Sequence, residues 1–110
     1  MKPEISMYFD QFIYGLGFRE GSKGLDYLRE AITVYRPGMM ITKEVYPAVA
    51  RKYKTKPEYV ERVCRHAITE ARKIGSREAW DEIFGYQPFK PTVQQFCATV
   101  RRYWVGNDDE

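Results

Sequence analysis

From Val60 to Ile74 the apolar residues Val60, Val63, Cys64, Ala67, Ile68, Ala71 and Ile74 step by 3, 1, 3, 1, 3 and 3. A helix, at about 3.6 residues per turn, puts such a set on one face, and no strand can do so. Its ends are marked as well. Thr55-x-x-Glu58 fits a capping box, Pro57 falls in the first turn where a missing N–H costs little, and Gly75 stops the run. No segment of the chain alternates with the period of two that a half-buried strand needs, and there is no internal repeat.

The other segments read the same way. Glu4 to Leu16 carries Ile5, Tyr8, Phe9, Phe12, Ile13 and Leu16 at three-and-four spacing before Gly17. A second helix begins at Ser22, turns Leu25, Leu28, Ala31, Ile32 and Tyr35 to one side, and ends at Pro37-Gly38. Thr42 is expected to cap a third helix through about Tyr53, with Val45, Val49 and Tyr53 in an apolar row. Pro47 lies beyond its first free turn and predicts a kink or a tightened turn. After the fourth helix, Ser76 to about Phe84 buries Ala79, Trp80, Ile83 and Phe84. GYQPFKP follows as irregular chain. Thr92-x-x-Gln95 is a second capping box, opening a helix with Val93, Phe96, Val100 and Trp104 in register, and GNDDE is a frayed tail. The expectation is an all-α fold of about six helices with an embedded helix-turn-helix at about residues 42–75, winged-helix-like but without a clear wing.

The 110 residues are one domain's worth of chain, so residues 1–110 are expected to form a single helical domain with no room for a second. Six Phe, nine Tyr and two Trp should dominate its core. No run approaches the roughly 18 apolar residues of a membrane span, and MKPEISMYFDQF lacks the features of a signal peptide, so a cytoplasmic protein with no membrane partner is expected. Cys64 and Cys97 form no CxxC and read as small buried hydrophobes. His66 is the sole histidine, which leaves no His-rich metal site, and no cofactor is expected.

Charge is informative only by segment. The whole chain is +3, yet residues 51–77 hold nine Lys/Arg against three Glu, a net of +6, and the remainder holds nine against twelve, a net of −3. A positive field concentrated on one element attracts polyanions at long range, so double-stranded nucleic acid is the first partner to consider.

Helices three and four are separated by a residue or two around Lys54 and Thr55, the layout of a helix-turn-helix whose second helix lies in the major groove. Tyr59, Arg62, His66, Thr69 and Lys73, spaced 3, 4, 3 and 4, form its outer stripe. The N-terminal end of such a helix meets base edges, so Tyr59, Glu61 and Arg62 are the base-reading candidates. Arg62 can donate two hydrogen bonds to guanine O6 and N7, and Glu61 can accept from cytosine N4. Thr42, Lys43, Lys54, Lys56, Arg65, His66 and Lys73 are the candidates for phosphate. The plainer reading is a solvated face on which Glu58 and Glu61 pair with Arg62 and Arg65, with Tyr59 a rim residue against the core.

Catalysis finds no support. Cys64 and His66 lie about 200° apart around the helix axis and cannot form a thiolate pair. Glu78, Asp81 and Glu82 sit at a helix start, where the macrodipole accounts for them, and no phosphate-binding glycine loop is present. The alternative from another class is a protein-interaction module that keeps this fold and offers a partner its basic face or an aromatic surface including Trp80 and Trp104.

Five segments together resemble one family. They are LG-x5-KG-x2-YLREAI from Leu16 to Ile32, ITK-x2-YP-x2-A-x-K from Ile41 to Lys52, VER-x2-RHAI from Val60 to Ile68, FGY from Phe84 to Tyr86 and KPT from Lys90 to Thr92. In order and spacing they are similar to the DNA-binding effector domain of the sporulation master response regulator, stage zero sporulation protein A. The resemblance implies a six-helix domain that binds promoter DNA in a sequence-specific way, often as two copies head to tail on tandem boxes, and acts through RNA polymerase. It matches Glu61 and Arg62 to the family's base-reading pair and Arg65 and His66 to its backbone-contacting pair. Tyr59 stands where the family usually has Arg. The segment between Gly75 and Phe84, near the family's contact with the sigma factor, differs in composition. The family's receiver domain has no counterpart here, so an excised domain or a free-standing relative is expected.

Overall fold

A computed structural model of the chain describes residues 13–86 and 89–107. These form α1 (Ile13–Leu16), α2 (Lys23–Val34), a π-helical turn (Ile41–Val45), α3 (Tyr46–Tyr53), α4 (Pro57–Ile74), α5 (Arg77–Phe84) and α6 (Val93–Asn107), with no strand among the described residues. The all-helical expectation holds, and α3 and α4 form a helix-turn-helix. Ile5, Tyr8, Phe9 and Phe12 of the expected first helix lie outside the described residues, as do the side chain of Trp104 and the end of the GNDDE tail.

The caps show how local chemistry sets these boundaries. Ser22 and Ser76 accept from the amides of Leu25 and Ala79 at 3.1 and 3.2 Å, so α2 and α5 start as read. The Thr92–Gln95 box forms completely: Thr92 N–H donates to Gln95 Oε1 at 2.9 Å and Gln95 N–H to Thr92 Oγ1 at 3.1 Å. Two other expected caps do not form. Residues 41–45 widen into a π turn, in which Glu44 accepts from the Met40 amide at 3.1 Å, so Thr42 lies inside the turn instead of capping it. Pro47 then falls at the second residue of α3, directly after this π turn, and the tightened turn expected at Pro47 is replaced by the wider one before it. Thr55 does not cap α4 either. The N-cap is Lys56, without a side-chain bond, and Pro57 is the first helical residue.

α4 is the central element, packed against α2, α3 and α6. Val60, Cys64, Ile68 and Ala71 are buried, with Leu25, Leu28 and Ile32 of α2, Val45 of the π turn, Val49 of α3, and Phe96 and Val100 of α6 around them. Each such large side chain contributes roughly 1.5–3 kcal/mol on burial. Ile74 departs from the expected apolar face: it is 65% exposed, on the flank shared with half-buried Val63 and Ala67. A second cluster joins Phe18, Trp80, Phe84 and Phe96, with ring centroids 5.1–6.3 Å apart. The Trp80 indole N–H donates to the Leu16 carbonyl at 2.9 Å, fixing α5 to the end of α1. Gly17, at φ +92°, is needed there because any Cβ would strike the Ala71 carbonyl and the Gly75 amide.

Candidate nucleic-acid interface

The turn between α3 and α4 is only three residues long. Lys54 ends α3 in the left-handed region, at φ 56° and ψ 49°, and its amide reaches back to the Ala50 and Arg51 carbonyls. The Thr55 amide also bonds Ala50 O at 2.9 Å. The chain is thereby turned sharply, and Lys56, extended, delivers Pro57 into α4. At 18 residues α4 is about 27 Å long, and its buried face leaves the opposite side open along that length.

Around the N-terminal end of α4 the structure gathers Lys54, Lys56, Glu58, Tyr59 and Arg62 about one open depression. Lys54, Lys56 and Arg62 are exposed. Lys23, at the start of α2, joins them by donating to the Tyr59 hydroxyl at 3.3 Å, which also raises the ammonium pKa above its ordinary value. Tyr59 is half-buried. Its ring meets Tyr27 edge-on at 6.2 Å and lies under the Arg62 guanidinium at 5.2 Å. It occupies the rim of the core as well as the open end of α4.

Further along, Glu61 pairs with Arg65 at 3.1 Å, as the plainer reading expected of that pair. Thr42 lies beside them, lining with Tyr46, Glu61, Arg65 and Lys90 a groove of about 390 Å³. His66 is exposed on the outer stripe. Thr69 directs its hydroxyl to the Arg65 carbonyl at 3.0 Å and accepts from Lys90, which brings the loop before α6 against the stripe. Lys43 is exposed on the π turn. Lys73 stands apart, about 20 Å along the axis from Tyr59, and pairs with Glu70 at 3.4 Å.

Lys23 and Lys90 escaped the sequence reading because tertiary packing alone brings them to α4, from 36 residues before Tyr59 and 21 after Thr69. Lys23 did carry a signal, as part of the KG pair inside the first of the family-like segments, but nothing local tied it to α4.

Cys64 and His66 are not brought together. Cys64 is fully buried, its thiol pushed up to about 12 by desolvation, while His66 faces solvent on the other side of α4. Among the described residues no group of three or more His, Cys, Asp or Glu is placed to hold a metal, and no helix is long and apolar enough to cross a membrane. Trp80, at 5% exposure, belongs to the core and offers no surface to a protein partner. In comparison with known families, residues 9–103 match the one described as sporulation initiation factor Spo0A C terminal.

Proposed function

The chain belongs to the family of Spo0A C-terminal domains, and from that premise we propose that it is a sequence-specific regulator of transcription that docks α4 in the major groove of promoter DNA. The family is one of DNA-binding effector domains of sporulation regulators. The observation that carries the reading to this chain is the exposed cluster of Lys23, Lys54, Lys56 and Arg62 around the start of α4, one three-residue turn after α3. Lysine and arginine so placed neutralise phosphates and release counterions, while the helix end between them enters the groove.

In this reading Arg62 forks to guanine, Glu61 accepts from cytosine, and Tyr59 completes the base-facing end. Lys54 and Lys56 hold one phosphate strand from the turn. Thr42 and Lys43 on the π turn, with Arg65 and His66 on α4, hold the other, and Lys73 serves only a duplex long or bent enough to reach it. Two copies head to tail on tandem sites, and a contact with the polymerase sigma factor near α5, complete the proposal and are supported by the family alone. The protein then works in the cytoplasm, where promoter DNA is.

The test compares two substitutions on matched and mismatched duplexes recovered by selection from a random pool. Arg62→Ala should cost about 1–3 kcal/mol and relax choice at one base pair, whereas Lys56→Ala should weaken every duplex alike. Equal weakening of all duplexes by both would remove the base-reading role of Arg62. Recovery of no duplex, with capture of a specific protein instead, would favour a protein-interaction module.

A further inference from the structure

We infer that Tyr59 is a positioning residue, whose ring holds the Arg62 guanidinium in place for its base so that sequence preference at that position depends on the ring. The inference rests on the DNA-reading of α4 proposed above.

Tyr59 and Arg62 are three residues apart on one face of α4, so the longer side chain can lie back over the ring. It does: the guanidinium carbon is 5.2 Å from the ring centroid, within cation–π range. The ring is itself held. Lys23 donates to its hydroxyl at 3.3 Å, and Tyr27, buried, meets it at 6.2 Å with the planes 79° apart. Tyr27 is backed in turn by Tyr53 at 5.0 Å. The platform therefore reaches from the core, through two rings, to the exposed Arg62 guanidinium at the start of α4.

Arginine is long and loses side-chain freedom when it makes a fixed two-bond contact, so a guanidinium already held near its binding pose binds more tightly and discriminates more sharply. Tyr59 is poorly suited to read a base by itself. Its hydroxyl oxygen accepts from Lys23, and the single O–H left to donate cannot supply the forked donors that guanine O6 and N7 select.

The test uses the whole chain and the duplex that wild type recovers by selection, together with the same duplex altered at the base pair that Arg62→Ala ceases to discriminate. Tyr59→Leu and Tyr59→Gln both remove the ring, so the outcome does not hang on one variant that folds. Each should lower affinity about two- to fivefold, the range of an exposed cation–π contact, and narrow discrimination at that base pair by the same factor. Tyr59→Phe should keep most of both, and removing the ring in an Arg62→Ala background should cost nothing more. Additive losses, or equal losses on every duplex, would overturn the inference and leave the DNA-reading standing. The Arg62 Nε–Hε resonance of the free protein gives a readout without DNA: removing the ring should shift it and Tyr59→Phe should not. An unmoved resonance overturns the stack. If selection recovers no duplex, the DNA-reading falls and the positioning role falls with it.

Discussion

Gly24 of α2 lies so close to Ala67 of α4 that a Cβ placed on it would come within 2.6 Å of the Ala67 Cβ. Two effects oppose one another at this site. Alanine in a helix is about 1 kcal/mol better than glycine by propensity, while overpacking a close contact costs about 1–3 kcal/mol. The backbone on both sides is helical and packed, so the clash should win. Gly24→Ala is expected to lower the urea midpoint, and adding Ala67→Gly should restore much of the loss. Because this contact sets how α4 sits on the core, the proposed docking of α4 in DNA predicts that affinity falls and recovers with stability.

The Trp80 indole donates to the Leu16 carbonyl from a buried site. Trp80→Phe keeps most of the ring packing against Phe84 and Phe96 but leaves that carbonyl without its partner. The expected cost is about 1–3 kcal/mol in denaturant unfolding, in line with an orphaned buried acceptor. An unchanged midpoint would mean that the bond adds nothing net to stability.

Lys54 is the one non-glycine at positive φ among the described residues, and it sits at the turn into α4. A left-handed lysine costs on the order of 1 kcal/mol that glycine avoids. Lys54→Gly is therefore expected to raise the unfolding free energy by about 1 kcal/mol, read as a higher urea midpoint. It should at the same time weaken all duplexes alike and reduce the salt slope by about 1. Opposite signs in the two measurements would identify a residue kept for its charge at a conformational cost, and a loss in both would contradict that.

Burial pushes the Cys64 thiol from its ordinary 9.0 up to about 12, and the Cys97 thiol is also pushed up. The unfolded chain releases both protons near pH 9, while the folded chain holds them. Stability from these groups is therefore complete below about pH 9 and falls as pH rises toward 12. Urea midpoints measured from pH 7.5 to 10.5 should decline at the upper end, less so in the Cys64→Ala/Cys97→Ala variant. Native protein at pH 8 should resist thiol reagents that label the urea-unfolded chain promptly.

The features legible in the sequence are those settled within a few residues. The α2 row from Leu25 to Tyr35, the Ser22 and Ser76 caps and the reciprocal Thr92–Gln95 bonds all depend on neighbours at most four positions away. Thr42 and Thr55 failed as caps because another group settled the same stretch first. Glu44 takes the Met40 amide and widens the turn, and the left-handed Lys54 sends the Thr55 amide to Ala50. Neither competition leaves a trace in spacing. The outer stripe of α4 was legible because helical periodicity dictates it. What Tyr59 touches was not, since Tyr27 and Lys23 come from α2 and only packing brings them there.

The most direct test of DNA reading by α4 is fluorescence anisotropy of the wild-type chain on its selected duplex and on a scrambled duplex, across a series of salt concentrations. Tighter binding to the selected duplex is expected, with affinity falling as salt rises at a log–log slope of roughly −3 to −5, as four or five phosphate contacts from the cations around α4 require. Equal affinity for both duplexes, or no binding at low salt, would contradict sequence reading by this helix.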